Sequence, residues 1–272
     1  MTLVLKLNFH GDFLVTMVTS IMTSNGTSWL QRGSDEDLLT PIRNSYFSIG
    51  PTYESIRIDR TQGRYIDKVG DTLDPEVFDG MEFVGGRLVA DLKNGNHPVL
   101  TTRGVNLQLD FGWKHQLDNN QSFTYIKSAF SVYLPLGPKA STVLATRVGV
   151  HHNFNQNYEF FQGATLGGIG PNGNMRGLRR DRFNGQTAFY HNTDLRFRLF
   201  SSSNKVMPFT MGFLAGFDHG RVWQAGESSD TWHTSVGGGL WFAPFDMAVL
   251  NLGWYKGTDE RGTILLGGDY FF

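Results

Sequence analysis

The stretch AFYHNTDLRFRLF, residues 188–200, contains the pattern that decides the fold. Alternate positions carry large apolar side chains, namely Phe189, Leu195, Phe197 and Leu199. The positions between them carry polar or ionised side chains, namely Asn192, Asp194, Arg196 and Arg198. A period of two residues places these sets on opposite faces of a β-strand, so the stretch predicts a strand with one apolar and one charged face.

The same alternation recurs through the second half of the chain. It is found at residues 105–113, 124–134, 143–150, 246–255 and 263–272. The last of these segments, TILLGGDYFF, predicts a strand that runs to Phe272, with four apolar side chains on one parity: Ile264, Leu266, Tyr270 and Phe272. Upstream, strands are predicted at residues 45–58 and 81–92, and plausible ones at residues 2–9 and 13–22. Together these segments predict an all-β, antiparallel sheet of about ten to twelve strands.

The composition excludes several classes of protein. The 272 residues include 24 basic and 25 acidic side chains, so no polycationic surface for nucleic acid is expected. Cysteine is absent, which excludes a disulfide framework and a thiolate metal site. The 33 glycines and 22 phenylalanines suit a chain of many strands and tight turns better than a helical enzyme.

Two architectures fit this sheet: a soluble sandwich or small water-soluble barrel, and a transmembrane β-barrel. The polar faces carry ionised pairs and glycines, as a hydrated lumen would. Connections alternate between short, as in FAPFD (242–246), and long, as at residues 219–233. Aromatic residues near strand ends resemble the interfacial girdles of membrane barrels: Trp113, Tyr133, Trp223, Trp232, Trp241, Trp254, Tyr255 and Tyr270. We therefore predict one outer-membrane β-barrel domain over residues 1–272, with residues 1–43 unassigned.

The apolar segment FLVTMVTSIM, residues 13–22, could be a strand or the core of a signal peptide. It follows a single lysine rather than a basic cluster, and it contains three Thr and Ser residues. A strand fits these features better, so no export signal is expected within this chain.

A long glycine- and arginine-rich segment, Gly167–Gly185, separates two of the predicted strands. It contains neither phosphate-loop pattern and does not lead into a helix, so a nucleotide site is not expected. Its four clustered arginines belong to an otherwise neutral chain, which does not favour nucleic-acid binding. A solvated loop or contact with anionic lipid headgroups is the favoured interpretation of the cluster.

Catalytic and metal sites are not predicted. The eight histidines form no HExxH motif, and His219 and His233 near one rim fit hydrogen-bonded interfacial side chains better than metal ligands. The motif GxSxG is absent, since Ser235 lacks the leading glycine. A triad of residues far apart in sequence remains open, but the prediction is a protein that is not an enzyme and has no cofactor or metal.

The remaining interpretation is an electrostatic contact inside the barrel. An arginine on an inward-folded loop needs a carboxylate partner, because an unpaired buried charge is costly. Asp194 and Asp218 have the parity of the polar face, so either could pair with Arg176. Gly177 would let the backbone pass close to the barrel wall.

Several ordered motifs resemble the C-terminal barrel of the BamA-type outer-membrane insertase superfamily, also called the bacterial surface antigen family. These are LGG (166–168), MRGLRRDRFNG (175–185), NTDLRFRL (192–199), GFDHGRVW (216–223) and GGDYFF (267–272). Residues 48–56 and 100–113 fit more loosely and resemble a Bacteroidota-like branch. The resemblance implies that Arg176 is the tip arginine of a loop folded into the lumen, with Asp194 and Asp218 as its partners.

The resemblance also implies differences from the family pattern. Leu178 stands where an aromatic residue is usual, and Asp194 where a Glu is usual, so the contact is expected to be looser or to favour Asp218. The family barrel has sixteen strands and follows POTRA or other soluble domains. Neither is expected here, so the chain is predicted to be a C-terminal portion of such a protein or a reduced relative.

The implied function is assembly, insertion or translocation of proteins at the bacterial outer membrane. Gly267, Gly268, Tyr270 and Phe272 would form the C-terminal insertion signal and a weak seam between first and last strands. Expected partners are outer-membrane lipids, unfolded outer-membrane protein clients and assembly lipoproteins, and not nucleic acid. The alternative is a passive anchor barrel or pore for a separate or missing soluble, hydrolase-like domain.

Overall fold

The computed structural model describes residues 15–18, 45–56, 76–156, 158–169, 173–204, 206–227, 230–258 and 260–272. Its strands are β1 (Val15–Val18), β2 (Tyr46–Ile56), β3 (Met81–Gly95), β4 (Gly104–Gln116), β5 (Ser122–Leu136), β6 (Thr142–Asn153), β7 (Ala164–Leu166), β8 (Phe183–Gly185), β9 (Thr187–Ser202), β10 (Phe209–Trp223), β11 (His233–Pro244), β12 (Leu250–Gly257) and β13 (Thr263–Gly267). A single helical turn, Glu76–Asp79, precedes β3. Within the described ranges no helix has the length and apolarity that crossing a membrane would require.

Eleven of the described strands form one antiparallel sheet. Each strand pairs with the next along the chain, except that β6 pairs directly with β9. The intervening strands β7 and β8 pair only with each other, in a small separate sheet. Residues 154–186, which connect β6 to β9, are named the inner loop. The predicted all-β, antiparallel fold is confirmed for the part of the chain that the structure describes.

The large sheet has two open edges among the described residues. There β1 pairs only with β2, and β13 pairs only with β12. Closure into a barrel therefore stays a prediction. The predicted strand at residues 2–9 lies outside the described residues, and within residues 13–22 the structure describes only β1.

The two ends of the sheet differ mainly in the inner loop, because the loop end also has a short connection, between β4 and β5. Residues 96–103, 137–141, 203–208 and 245–249 make short connections at one end, named the turn end. The inner loop lies at the opposite, loop end, where β10 extends to Trp223 and shortens the connection that the sequence predicted at residues 219–233. At the turn end Val99 and Leu100 pack against the cluster that contains Trp241 of β11, so the sheet curls around an interior.

The polarity of the sheet is inverted relative to a water-soluble fold. Ionisable side chains are buried on its inner face, among them Arg147, Asp194, Arg196 and Asp218. Large apolar side chains are exposed on its outer face, among them Leu107, Phe130, Phe217, Leu240 and Leu252. A band of exposed apolar residues of this extent is typical of the outer wall of a membrane barrel.

The predicted aromatic girdle is only partly correct. Exposed positions are held by four tryptophans, namely Trp113, Trp223, Trp232 and Trp254. Tyr133, Trp241 and Tyr255 are instead buried on the inner face, and Tyr270 packs there against Trp241. Neighbouring residues on a strand point to opposite faces, so Trp254 and Tyr255 cannot both belong to the girdle.

The prediction of a strand running to Phe272 is wrong. Strand β13 ends at Gly267, and the residues after it turn into the interior. The Tyr270 ring lies 3.9 Å from the Arg196 guanidinium carbon, and the Phe272 ring lies 5.0 Å from that of Arg147. Attraction between the inner-face arginines and aromatic ring faces outweighs the alternation that the sequence suggested.

Candidate functional site

The inner loop is packed inside the curled sheet. Its strand β7 pairs with β8, and Gly168 and Met175 form an isolated β-bridge beyond them. Leu166, Met175 and Leu178 are buried together, with Tyr190 of β9 and Val222 of β10 packed against them. Burial of these apolar side chains holds the loop against the inner wall.

Asn174 connects the two arms of the inner loop. Its side-chain carbonyl accepts a hydrogen bond from the Gly167 backbone N–H at 2.8 Å, and its amide donates to the Thr165 carbonyl at 2.7 Å. The Asn192 side chain of β9 donates in turn to the backbone carbonyl of Asn174 at 3.0 Å. These bonds satisfy buried polar groups of the loop and fix its tip, where Arg176 follows.

Arg176 lies between two carboxylates of the inner wall. Asp218 of β10 accepts hydrogen bonds from Nε at 2.9 Å, from Nη2 at 2.6 Å and from the Arg176 backbone N–H at 2.9 Å. Asp194 of β9 accepts one from Nη1 at 2.6 Å. Arg176 is 2% exposed. The structure therefore brings together the three charged residues that the sequence singled out, with Asp218 taking the bidentate position.

Two glycines make room for this arginine. A Cβ on Gly216 of β10 would lie 2.7 Å from the Arg176 Nη2 atom, so the guanidinium lies directly against the strand backbone. Gly177 has a φ of +71°, and a Cβ there would lie 2.6 Å from the Ser235 hydroxyl oxygen. The Gly177 carbonyl accepts a hydrogen bond from the Gly257 backbone N–H at 3.2 Å. The structure therefore places Gly177 in direct contact with β11 and β12.

Leu178 is the third residue of the predicted loop motif. It is buried, and a Cβ on Gly257 of β12 would lie 2.5 Å from its Cδ2 atom. The side chain thus occupies the space beside β12 that a glycine leaves open. Leu178 contributes apolar packing next to the charged group rather than a polar contact.

Two aromatic residues of the site were missed by the sequence analysis. The Tyr255 hydroxyl accepts a hydrogen bond from Arg176 Nη1 at 2.9 Å, and its ring centroid lies 4.5 Å from the guanidinium carbon. The Phe271 ring lies 4.9 Å from the same carbon. Strand parity could have identified Tyr255, because it shares the inner face with Asn251 and Gly253. No such signal existed for Phe271, which follows the last strand.

The other arginines of the segment lie at the surface. Arg179 and Arg182 each donate to Glu260 in the β12–β13 connection, at 3.2 and 2.8 Å. Arg180 pairs only with the adjacent Asp181 among the described residues, at 3.4 Å. Burial raises the pKa of Glu260, but hydrogen bonds from Arg179 and Arg182 lower it by more. The net result is a pKa below the usual value of 4.5.

The predicted seam residues do not lie at a junction of first and last strands within the described chain. Gly267 pairs with Asn251 of β12, and a Cβ there would lie 2.9 Å from the Asn251 side chain. At Gly268 a Cβ would have no atom within 4 Å. Arg196 donates from Nη2 to the Phe272 carbonyl at 2.6 Å. Gly267 is thus explained by close packing, whereas nothing in the structure explains Gly268.

The other residues considered from the sequence lie apart from the site or beneath it. His219 contacts His191 and Trp232 on the outer face, and His233 stacks on Phe183 at 3.6 Å between ring centroids. Among the described residues no three His, Asp or Glu side chains group as metal ligands. Ser235 is 2% exposed beneath Gly177, so its hydroxyl has no access to a substrate.

Fold and site together define a class of structure: a curled antiparallel sheet with an apolar outer face, a polar interior and a loop folded into that interior. The fold is similar to that of BamA from Haemophilus ducreyi lacking POTRA domains 1–3. That crystal structure has 15% sequence identity to this chain and a TM-score of 0.53, covering 82% of this chain and 49% of the other. The chain therefore spans about half the length of that crystallised chain.

At this identity the comparison shows a BamA-like barrel fold and nothing more specific. No family model matches the sequence, and no curated protein matches it. The predicted superfamily resemblance is therefore supported at the level of fold. The family, its Bacteroidota-like branch and the role of the Arg176 contact stay predictions.

Proposed function

We propose that this protein is an integral β-barrel of the bacterial outer membrane that takes part in the assembly, insertion or translocation of other outer-membrane proteins. Its partners would be membrane lipids, unfolded barrel clients and assembly lipoproteins. The apolar outer face supports the membrane location, and the BamA-like fold supports the class of function. The observation that carries the proposal is the inner loop, whose Arg176 is held by Asp218 and Asp194.

The physical role proposed for this contact is to hold the sheet in a curved shape while its edge stays available. The contact joins the loop to β9 and β10, and the Tyr255 hydroxyl extends it to β12. The neighbouring strand β13 has five residues and, among those described, a single paired side. An edge strand with unpaired backbone groups can template an incoming strand, which requires no cofactor and no bond chemistry.

A passive pore is the alternative, and the packing of the inner loop inside the sheet argues against a wide one. The inner loop occupies the loop end, and at the turn end Leu100 and Tyr270 pack against the Trp241 cluster. A passive anchor remains compatible with the same packing. These alternatives differ in what the reconstituted protein does to a second, unfolded barrel protein.

The test is insertion of an unfolded barrel protein into liposomes that contain this chain. We expect faster insertion than into empty liposomes, loss of that acceleration in Arg176→Ala, and retention in Arg180→Ala, whose side chain lies at the surface. Steady conductance without acceleration would contradict the proposal and indicate a pore. Absence of both would indicate an anchor. Hydrolysis of an ester or lipid substrate that is lost on mutating one Ser or His would indicate an enzyme.

A further inference from the structure

A cavity of about 270 Å³ lies at the turn end of the sheet. It lies between the β3–β4 and β5–β6 connections, the end of β9 and the β11–β12 turn. Asp194 separates it from the Arg176 contact, since Asp194 pairs with Arg176 at one oxygen and with Arg196, a cavity residue, at the other. The volume is slightly below the roughly 300–1,000 Å³ of sites for drug-sized ligands, so it suits a small group.

The charge of the cavity lining is positive. Three cationic side chains line it, namely Lys139, Arg196 and Arg198, against the single carboxylate of Asp246. Asp246, Lys139 and Arg198 are all exposed, so water screens each of these three charges. Among the described residues no carboxylate lies within 4.0 Å of the charged groups of Lys139 or Arg198. Two of the three cations are therefore without a counter-charge.

Arg196 supplies the buried component of the lining. It is 4% exposed, and its Nη2 atom donates to Asp194 and to the Phe272 carbonyl. Its Nε atom is buried and has no hydrogen-bond partner among the described residues. A buried guanidinium N–H without an acceptor is costly, and a bound anion would satisfy it.

Polar and aromatic groups complete the lining. His97 accepts hydrogen bonds at Nδ1 from the backbone N–H groups of Val99 and Leu100, at 3.2 and 3.0 Å. This arrangement places the proton of the neutral ring on Nε2, which makes that atom a donor. The rings of Trp241 and Tyr270 form an apolar wall beside it. The cavity thus offers donors of hydrogen bonds and positive charge together with a flat apolar surface.

We propose that this cavity binds a small oxyanion of the phosphate class, either free phosphate or the phosphate of a lipid headgroup. Guanidinium and ammonium groups are the side chains that bind phosphate oxygens best, and three residues that carry them line this one cavity. The connections of the turn end also expose apolar side chains, Val206 and Met247 among them, which would bring lipid to this end of the sheet. The inference is independent of any role in protein insertion.

The test uses the absence of cysteine in the chain. Ser141→Cys places a single thiol in the cavity lining, and Glu227→Cys places one in an exposed connection at the loop end as a control. The rate of reaction with a maleimide is measured on the full chain in a phosphate-free detergent at constant ionic strength. We expect inorganic phosphate to slow labelling at position 141 saturably, at least fivefold, and to leave labelling at position 227 unchanged.

Two variants then test the cationic lining. Arg198→Gln and Lys139→Gln, each combined with Ser141→Cys, should raise the phosphate concentration for half-protection at least tenfold. Arg179→Gln, a surface arginine at the other end, should leave it unchanged. Protection that is absent, or equal in all these variants, would overturn the proposal.

The source of the phosphate is identified by comparing three probes. These are inorganic phosphate, glycerol 3-phosphate, and phosphatidylglycerol nanodiscs compared with phosphate-free glycolipid discs. Protection by the soluble probes alone indicates a free anion, and protection by phosphatidylglycerol indicates a headgroup site. Protection by none of the three probes would refute the inference.

Discussion

Arg176 and Arg182 lie six positions apart in one loop, and their environments are opposite. Arg176 is 2% exposed and contacts two carboxylates and the Tyr255 hydroxyl. The Arg182 side chain is 46% exposed and shares Glu260 with Arg179. In sequence they are members of one basic cluster. The structure separates them into a residue held in the interior and residues that attach the loop from outside.

This difference shows that burial and not residue type decides what a charge pair contributes. An exposed ion pair contributes little to stability, because water screens both charges and flexible side chains must be ordered. Removal of one partner from a buried pair is far more damaging, because the other charge is left without compensation in a poorly hydrated site. The two sets of arginines should therefore respond differently to the same substitution.

The largest effect is expected for Arg176→Ala. The substitution leaves Asp218 and Asp194 buried without their main partner, so we expect a loss of about 3–5 kcal/mol in the free energy of unfolding. Urea unfolding in detergent micelles measures it. Arg180→Ala is the matched control and should change the same quantity by less than about 0.5 kcal/mol. Equal effects from both variants would remove the distinction between the inner and outer arginines.

The next largest effect is expected for Gly177→Ala. A φ of +71° strains a residue with a side chain, which costs about 1–3 kcal/mol. The new Cβ would also lie 2.8 Å from the Gly257 backbone nitrogen, so the loop would have to shift slightly as well. Gly268→Ala is the control, because no atom lies within 4 Å of its Cβ position. A Gly177→Ala variant as stable as Gly268→Ala in the same urea titration would contradict the observed path of the loop.

A smaller effect is expected for Tyr255→Phe. The substitution keeps the ring beside the guanidinium and removes only the hydroxyl that accepts from Nη1. A hydrogen bond to a charged group contributes about 1.5–3 kcal/mol, and the unfolding free energy should fall by that amount. Tyr158→Phe removes a long, exposed hydrogen bond of 3.4 Å and should be nearly neutral. A neutral Tyr255→Phe would show that the ring alone, and not the hydroxyl, supports Arg176.

The smallest effect is expected at Glu260. Because its folded-state pKa lies below 4.5, its contribution is present above that pH and is lost as the pH falls through the lower, folded value. Amide hydrogen exchange of residues 179–183 measures this contribution. The quantity compared at each pH is the ratio of exchange rates in the wild type and in Glu260→Gln. We expect greater protection in the wild type at pH 7 and equal protection once Glu260 is protonated. The free energies of unfolding of the two proteins should differ by under about 1 kcal/mol at pH 7. A difference that persists at low pH would contradict the assignment.

Alternation along single strands predicted much of this molecule. It identified the strand content and the inward parity of Asp194 and Asp218. It also placed Tyr255 on the inner face, but Tyr255 was assigned instead to the interfacial aromatic girdle. Strand parity is a local property, so the sequence shows it directly.

Features that depend on distant contacts were not predictable in the same way. The inward turn after Gly267 results from arginines on β6 and β9, far away in the chain. The stacking of Phe271 on Arg176 and the cavity at the turn end also join segments that no local pattern connects. The alternation of apolar and polar residues continues in the sequence to Phe272. The backbone after Gly267 nevertheless turns inward, because the interior arginines attract the aromatic rings.

The most direct test of the central claim is a double-mutant cycle on Arg176 and Asp218, measured as unfolding free energies in detergent. The claim is that these two residues form one buried, mutually dependent pair. It predicts that Arg176→Ala and Asp218→Ala are each strongly destabilising and that the double variant loses far less than their sum, with a coupling of about 2–3 kcal/mol. Additive losses, with a coupling below about 0.5 kcal/mol, would contradict it.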